Sequence, residues 1–142
     1  MNNKFIAEAK TTIHAPASKV WDALTKPALI KQYLFGTDVI SDWKVGSPIT
    51  YKGEWQGKSF EDKGRIIELE PEKRLRSTHW SPLSGVPDSP ENYHTVTYEL
   101  SEKDGITDVA ITQDNNASEE ERVHSEQNGK TVLEGMKKLL ES

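Results

Sequence analysis

Between Phe5 and Ile13 the chain alternates, with Phe5, Ala7, Ala9, Thr11 and Ile13 on one side and Glu8, Lys10 and Thr12 on the other. Alternation of period two predicts a strand with one buried face, here an unusually small-residue one. In APASKVWDALTKP the spacing becomes helical: Val20, Trp21 and Leu24 form an apolar side, Pro16 suits the first turn and Pro27 ends the helix. A second short helix, PALIKQYLFG, offers Leu29, Ile30, Tyr33 and Leu34 before Gly36. Then the period returns to two. SPITYKGEW places Ile49, Tyr51 and Trp55 on one face, and Gly57 sits in the following turn. SFEDKGRIIELEPEKRLRSTHW reads as two strands joined at Glu70, Pro71 and Glu72, with the adjacent Ile66 and Ile67 leaving the first strand's register open. SPLSGVPDSPEN is a loop. YHTVTYELSEKDGITDVAITQ is the clearest hairpin, because Asp104-Gly105 favours the tight turn that right-twisted strands require. Its inward residues would be Val96, Tyr98 and Leu100 opposite Val109 and Ile111.

The last helix starts on strong signals. Ser118 with Glu121 forms a capping box, Glu119 to Glu121 complement the positive helix end, and Lys137 and Lys138 the negative end. From Ser118 to Glu141 it would run about 35 Å at ~1.5 Å per residue. At 100° per residue, Val132, Leu133, Met136, Leu139 and Leu140 share one arc. Going backwards, that arc holds Gly129, Ser125 and Ser118, while Val123 points the opposite way. A glycine inside a helix costs about 1 kcal/mol relative to alanine and needs a reason. Close approach to another element is one, and room for something that is not protein is another. A polar first half projecting past the sheet into solvent would also fit. The facing strands combine the aromatics Tyr51, Trp55 and Tyr98 with the small residues Ala7, Ala9 and Gly53, a mixture suited to walling a pocket for an apolar ligand. The order of elements predicts an α+β domain in which the long helix lies across a meandering antiparallel sheet.

Composition narrows the function. The 142 residues fit one domain with a single core, and 34% apolar with 29% charged residues is a globular balance. The net charge of −5 gives no basic field for nucleic acid or anionic lipid. The short basic run at Lys73, Arg74 and Arg76 reads as a solvated strand face. Without cysteine there is no disulfide, thiol nucleophile or cysteine-based zinc site. No signal-peptide core and no membrane span are evident, so a soluble cytoplasmic protein without membrane insertion is expected. Asn116-Ala117-Ser118 matches a glycosylation sequon but reads as a turn and helix cap. His14, His79, His94 and His124 lack paired metal spacing, and no phosphate-binding loop or nucleophile elbow occurs. His79 and His94 can share the concave face with Glu54 or Asp62, where such groups could do acid–base work, but a polar lining is the preferred reading.

The segments IHAPASKVWDALTKPALIKQYLFG and GRIIELEPEKRLRSTHW, with VTYELSEKDGITDVAITQDNNASEEE and the NGKTVLEGMKKLL end, resemble the Activator of Hsp90 ATPase homologue 1-like family of the START/Bet v 1-like (SRPBCC) superfamily. Pro16, Val20, Trp21, Ala23, Leu24, Thr25 and Pro27 carry the most specific part, and the likeness runs from about Phe5 to Leu140. It implies a single-domain helix-grip fold: a curved antiparallel sheet of about six strands, two short helices and a long carboxy-terminal helix enclosing a cavity. It also implies non-enzymatic binding of a small hydrophobic ligand such as a lipid, sterol, polyketide or flavonoid. An Hsp90-like chaperone partner or a cyclase- or hydrolase-type activity is the alternative. The ligand-binding residues expected are Tyr33, Tyr51, Trp55, His79 and Tyr98 on the sheet side. Ser125, Gly129, Val132 and Met136 are expected from the helix, with Gly129 leaving space for the ligand. No catalytic residue, metal or cofactor is expected, and the chain is expected to be a monomer. Many relatives carry a tryptophan in the last helix; SEQNGKTVLEGM has none, which would enlarge the pocket or open its mouth.

Overall fold

The structure is a computed structural model that describes residues 5–34 and 36–141; the side chain of Trp55, one of the expected ligand contacts, lies outside the described part. Strand β1 (Ala7–Ile13) is followed by helices α1 (Ala17–Thr25) and α2 (Pro27–Tyr33). Then come β2 (Asp38–Ser41), β3 (Pro48–Trp55), β4 (Lys58–Glu70), β5 (Arg74–His79), β6 (His94–Lys103) and β7 (Ile106–Gln113), and the chain ends in α3 (Glu119–Glu141). The strands form one antiparallel sheet in the order β1-β7-β6-β5-β4-β3-β2. It has seven strands, where about six were expected. The extra one is β2, four residues long, with Val39 buried and its neighbour Ile40 exposed. One buried apolar residue is too little to show a period.

Local chemistry accounts for the joints. Asp104 and Gly105 both take positive φ, 54° and 79°, and Lys103 pairs directly with Ile106, so the β6–β7 turn is the expected two-residue type. Tyr98 faces Ile111 and Leu100 faces Val109 across that hairpin, as the alternation predicts. The ambiguity at Ile66 and Ile67 has a cause: the β4–β5 register shifts between Ile66 and Glu68. This β-bulge turns Ile66 inward, leaves Ile67 43% exposed and brings Leu69 back against the core. On the outer face, Arg74 and Arg76 engage Glu68 at 3.1 and 3.5 Å, so the basic run is a solvated ion-pair ladder. Pro16 at the start of α1 has no side chain to cap it; the Glu102 carboxylate accepts from the Ala17 N–H at 2.6 Å in its place.

The core gathers at one end of the sheet. Ile13, Val20, Ile66, Val109, Leu133 and Met136 are fully buried there, and α1 and α2 close that end. The Tyr33 hydroxyl donates to the Ala23 carbonyl at 2.7 Å and fixes the two short helices to each other. Helix α3 starts as expected, with Ser118 Oγ accepting from the Glu121 N–H at 3.2 Å. Asn116, the sequon asparagine, is fully buried; it donates to the Phe5 and Gln113 carbonyls and accepts from the Ser125 hydroxyl at 2.8 Å.

At its far end, Glu141 accepts from the His14 backbone N–H at 2.8 Å and from Lys137 Nζ at 2.7 Å. The Lys137 ammonium, then the His14 N–H, hold its carboxyl down at about 2. Because the folded value lies below the unfolded one, this contribution is complete above the ordinary carboxylate range and is lost as pH falls through about 2. The expected result is that Glu141→Gln lowers the thermal midpoint at pH 6 and that the difference from wild type closes between pH 4.5 and 2. Thermal unfolding of both proteins across that range checks it, and a difference independent of pH would contradict it.

Gly129 needs a correction. A Cβ built there would meet Ile111 Cγ2 at 3.3 Å and Ala9 Cβ at 3.4 Å. The residue leaves no room for a ligand; with Ala9 it lets α3 lie almost directly on β1. Close approach to another element is its reason.

Candidate functional site

Small residues hold α3 on one margin of the sheet. The helix packs on β1 and β7 and touches α1 and α2, while none of its described Cα atoms comes within 8 Å of a Cα in β2–β6. The concave face of β3–β6 therefore lies away from the helix backbone. At the core end this face is sealed by Ile49, Ile66, Leu75 and Leu100, all buried. Toward the β5–β6 loop the same face carries Tyr51, Asp62, His79, His94, Val96 and Tyr98, all only partly buried. Burial fades along the inner face in one direction, from an apolar floor to a polar, aromatic mouth.

Strand register brings the polar groups together. Tyr51 pairs with Asp62 between β3 and β4. With Ile66 opposite Ser77 and Lys63 bridged to Trp80, Gly64 lies across from His79, one inward position from Asp62. His79 Nε2 sits 3.0 Å from Asp62 Oδ2. The His79 ring meets the Tyr51 ring edge-on, with centroids 5.7 Å apart at 67°. The Ser77 side chain lies beside the Tyr51 hydroxyl. Burial pushes the Tyr98 hydroxyl up to about 12. It also lifts Tyr51 and Tyr33 above the usual phenol range, with further upward contributions from the neighbouring tyrosine hydroxyls. All three phenols are therefore neutral at physiological pH. The second Asp62 oxygen, Oδ1, is buried and has no hydrogen-bond partner among the described residues.

The mouth is framed by residues 80–94. Trp80 Nε1 donates to the Val86 carbonyl at 3.2 Å, and the Tyr93 hydroxyl donates to Asp88 at 2.6 Å. Lys63 forms an ion pair with Asp88 and lies 5.7 Å above the Trp80 ring. His94 Nδ1 donates to the Asp114 carbonyl at 2.8 Å, and its Nε2 lies 3.7 Å from Glu121 on α3. Leu83 and Val86 are exposed on this loop and give the rim an apolar edge.

Of the expected ligand contacts, the structure brings together Tyr51, His79 and Tyr98. Tyr33 is buried, its hydroxyl held by α1. Ser125 is occupied elsewhere: its hydroxyl donates to Asn116, and it accepts from Gln113 Nε2 at 3.1 Å. Val132 and Met136 are buried in the core cluster and Gly129 is packed on β1, so the helix residues named from the sequence stabilise the grip. Asp62, Ser77 and His94 are the additions. Of the two acidic candidates for the concave face, Asp62 is there, whereas Glu54 has the opposite parity to Tyr51 and is exposed. An open cleft of about 770 Å³ lies at the other end of β5 and β6, between Ala17, Glu70–Arg74 and Glu99–Glu102. Its charged lining does not suit an apolar ligand. Among the described residues no group of three or more His, Asp or Glu side chains is placed to hold a metal ion, and no helix is long and apolar enough to cross a membrane.

The sequence model for Activator of Hsp90 ATPase homolog 1-like protein matches residues 14–141. Among solved structures, ChR145 from Cytophaga hutchinsonii is 54% identical, aligns over 99% of this chain and 97% of its own, and superposes with a TM-score of 0.86. The Aha1 dimer from Colwellia psychrerythraea is 21% identical over 96% of both chains, with a TM-score of 0.73. DynU16, from the dynemicin biosynthetic locus, is 16% identical over 98% of this chain and 48% of its own, with a TM-score of 0.81. The last two are similar in fold. No curated protein matches the chain.

Proposed function

We propose that this chain, which belongs to the Activator of Hsp90 ATPase homolog 1-like family, binds a small, flat apolar molecule between the concave face of β3–β6 and α3, without converting it. The observation that carries this reading is the stand-off of α3 from β2–β6, over a concave face whose side chains are partly exposed. An apolar floor with a few placed polar groups at one end is what a small-molecule site requires. The driving force would be burial of ligand surface at roughly 25 cal/mol per Å². A lipid, a polyketide and a flavonoid all meet that requirement in their ring or chain portions. Action on an Hsp90-type ATPase rests on the family's name, and no residue of this chain is assigned to it.

The test is a two-dimensional NMR titration with a panel of apolar small molecules, on wild type and on Val96→Trp. Val96 lies on the concave face between Ser77 and Gln113, so an indole there would occupy the proposed site. Binding by wild type with shifts centred on Tyr51, Ser77, Val96 and Tyr98 is expected, together with at least ~10-fold weaker binding by the folded variant. Equal affinity in the two proteins would place the ligand elsewhere.

A further inference from the structure

The Asp62–His79 pair defines what the occupant of this space must offer. An ionised carboxylate only accepts hydrogen bonds, so the ring nitrogen facing it, His79 Nε2, carries the imidazole proton. In the neutral ring, Nδ1 is then an unprotonated acceptor. Among the described residues Nδ1 has no hydrogen-bond partner, and the His79 side chain is 29% exposed on the concave face beside Tyr51. Asp62 is itself held in place: its side chain is 16% exposed and lies beneath the cross-strand Tyr51. The carboxylate thus acts as a positioning residue that fixes both the ring's orientation and its tautomer.

We infer that His79 Nδ1 receives a hydrogen bond from a hydroxyl on the bound molecule, so that the site selects hydroxylated aromatics over analogues in which the hydroxyl is capped. The Tyr51 and Tyr98 rings supply aromatic walls for a flat ring system. The acceptor stands toward the mouth and the apolar floor lies behind, so the hydroxyl would point outward and the rings inward. This inference rests on the proposed binding function and adds the chemical class of the ligand and the atom that reads it.

Two probes of nearly equal shape separate the possibilities: 2-naphthol, which donates, and 2-methoxynaphthalene, which cannot. Their dissociation constants are measured by NMR titration for wild type, His79→Phe and His79→Gln. Wild type is expected to prefer the naphthol about tenfold, the size of one hydrogen bond of ordinary strength. His79→Phe keeps a flat ring but no acceptor, and should bind both probes alike. His79→Gln keeps an acceptor oxygen, and should retain part of the preference. If His79→Phe does not fold, the comparison of wild type with His79→Gln decides, and an undiminished preference in the latter overturns the assignment. A naphthol preference that survives in folded His79→Phe, or no preference in wild type, overturns the role of His79 and leaves the binding function standing. Failure of wild type to bind either probe overturns both.

Discussion

Gly64→Ala is expected to destabilise the protein by about 3 kcal/mol or more, the upper end of what an overpacked interior site costs. A Cβ at this position would sit 1.7 Å from the Thr78 carbonyl oxygen and 2.6 Å from its carbon, both backbone atoms that no side-chain rotation can move. The β4–β5 ladder is already irregular there: Lys63 exchanges two backbone hydrogen bonds with Trp80, while the Arg65 N–H is taken by the Thr78 hydroxyl. Glycine is what lets the two backbones pass so closely. Separating them would move His79, which lies opposite, away from Asp62. Denaturant unfolding with an unchanged slope and a lowered midpoint checks the energy. In any fraction that stays folded, the His79 imidazole resonances should shift. A loss below about 0.5 kcal/mol would mean that the strands part freely and the close crossing is dispensable.

Gly129→Leu carries the second large effect, and it should appear in stability. With Ile111 Cγ2 and Ala9 Cβ at 3.3 and 3.4 Å from a hypothetical Cβ, a single methyl needs only small movements of side chains. Gly129→Ala is therefore expected to stay within about 1 kcal/mol of wild type, its crowding offset by the better helix propensity of alanine. A leucine has three further carbons and nowhere to put them. It would lift the middle of α3 off β1, at a cost of about 2–3 kcal/mol. If leucine were tolerated as well as alanine, the helix would not be seated as described and the residue would face free space.

Several features were legible because they are local. The Asp104-Gly105 turn, the Ser118 cap, the two short proline-bounded helices and the alternation through Tyr98 and Leu100 all depend on residues close in sequence. The family resemblance supplied the arrangement of these pieces, and the matched residues 14–141 agree with it. What could not be read were properties of register and curvature. The bulge after Ile66 decides which residues of β4 point inward, and with them whether Asp62 and His79 meet; no pattern within β4 alone fixes it. β2 has one buried apolar side chain, Val39. Gly129 and Ser125 fall on the buried stripe as the angular count says, but a stripe does not reveal how far away the opposing surface lies. At Gly129 that surface is in contact, and at Ser125 it is a hydrogen-bonding network with Gln113 and Asn116.

The meeting of the first and last elements has a consequence for how the chain is made. β1 pairs with β7, joining residues from 94 positions apart (Ile13 and Thr107) to 106 (Ala7 and Gln113), and α3 rests on β1, so neither contact forms until that length of chain exists. During synthesis, β2 to β6 can assemble into a meander while their concave face is still bare. β1 waits for residues 106–113, and α3, which packs on β1 and β7, emerges only after all seven strands. Closure of a long loop comes late and slowly in such a topology. The concave face of β3–β6 is thus the surface left open longest on the nascent chain, and until α3 docks the aromatic side chains of that face meet solvent.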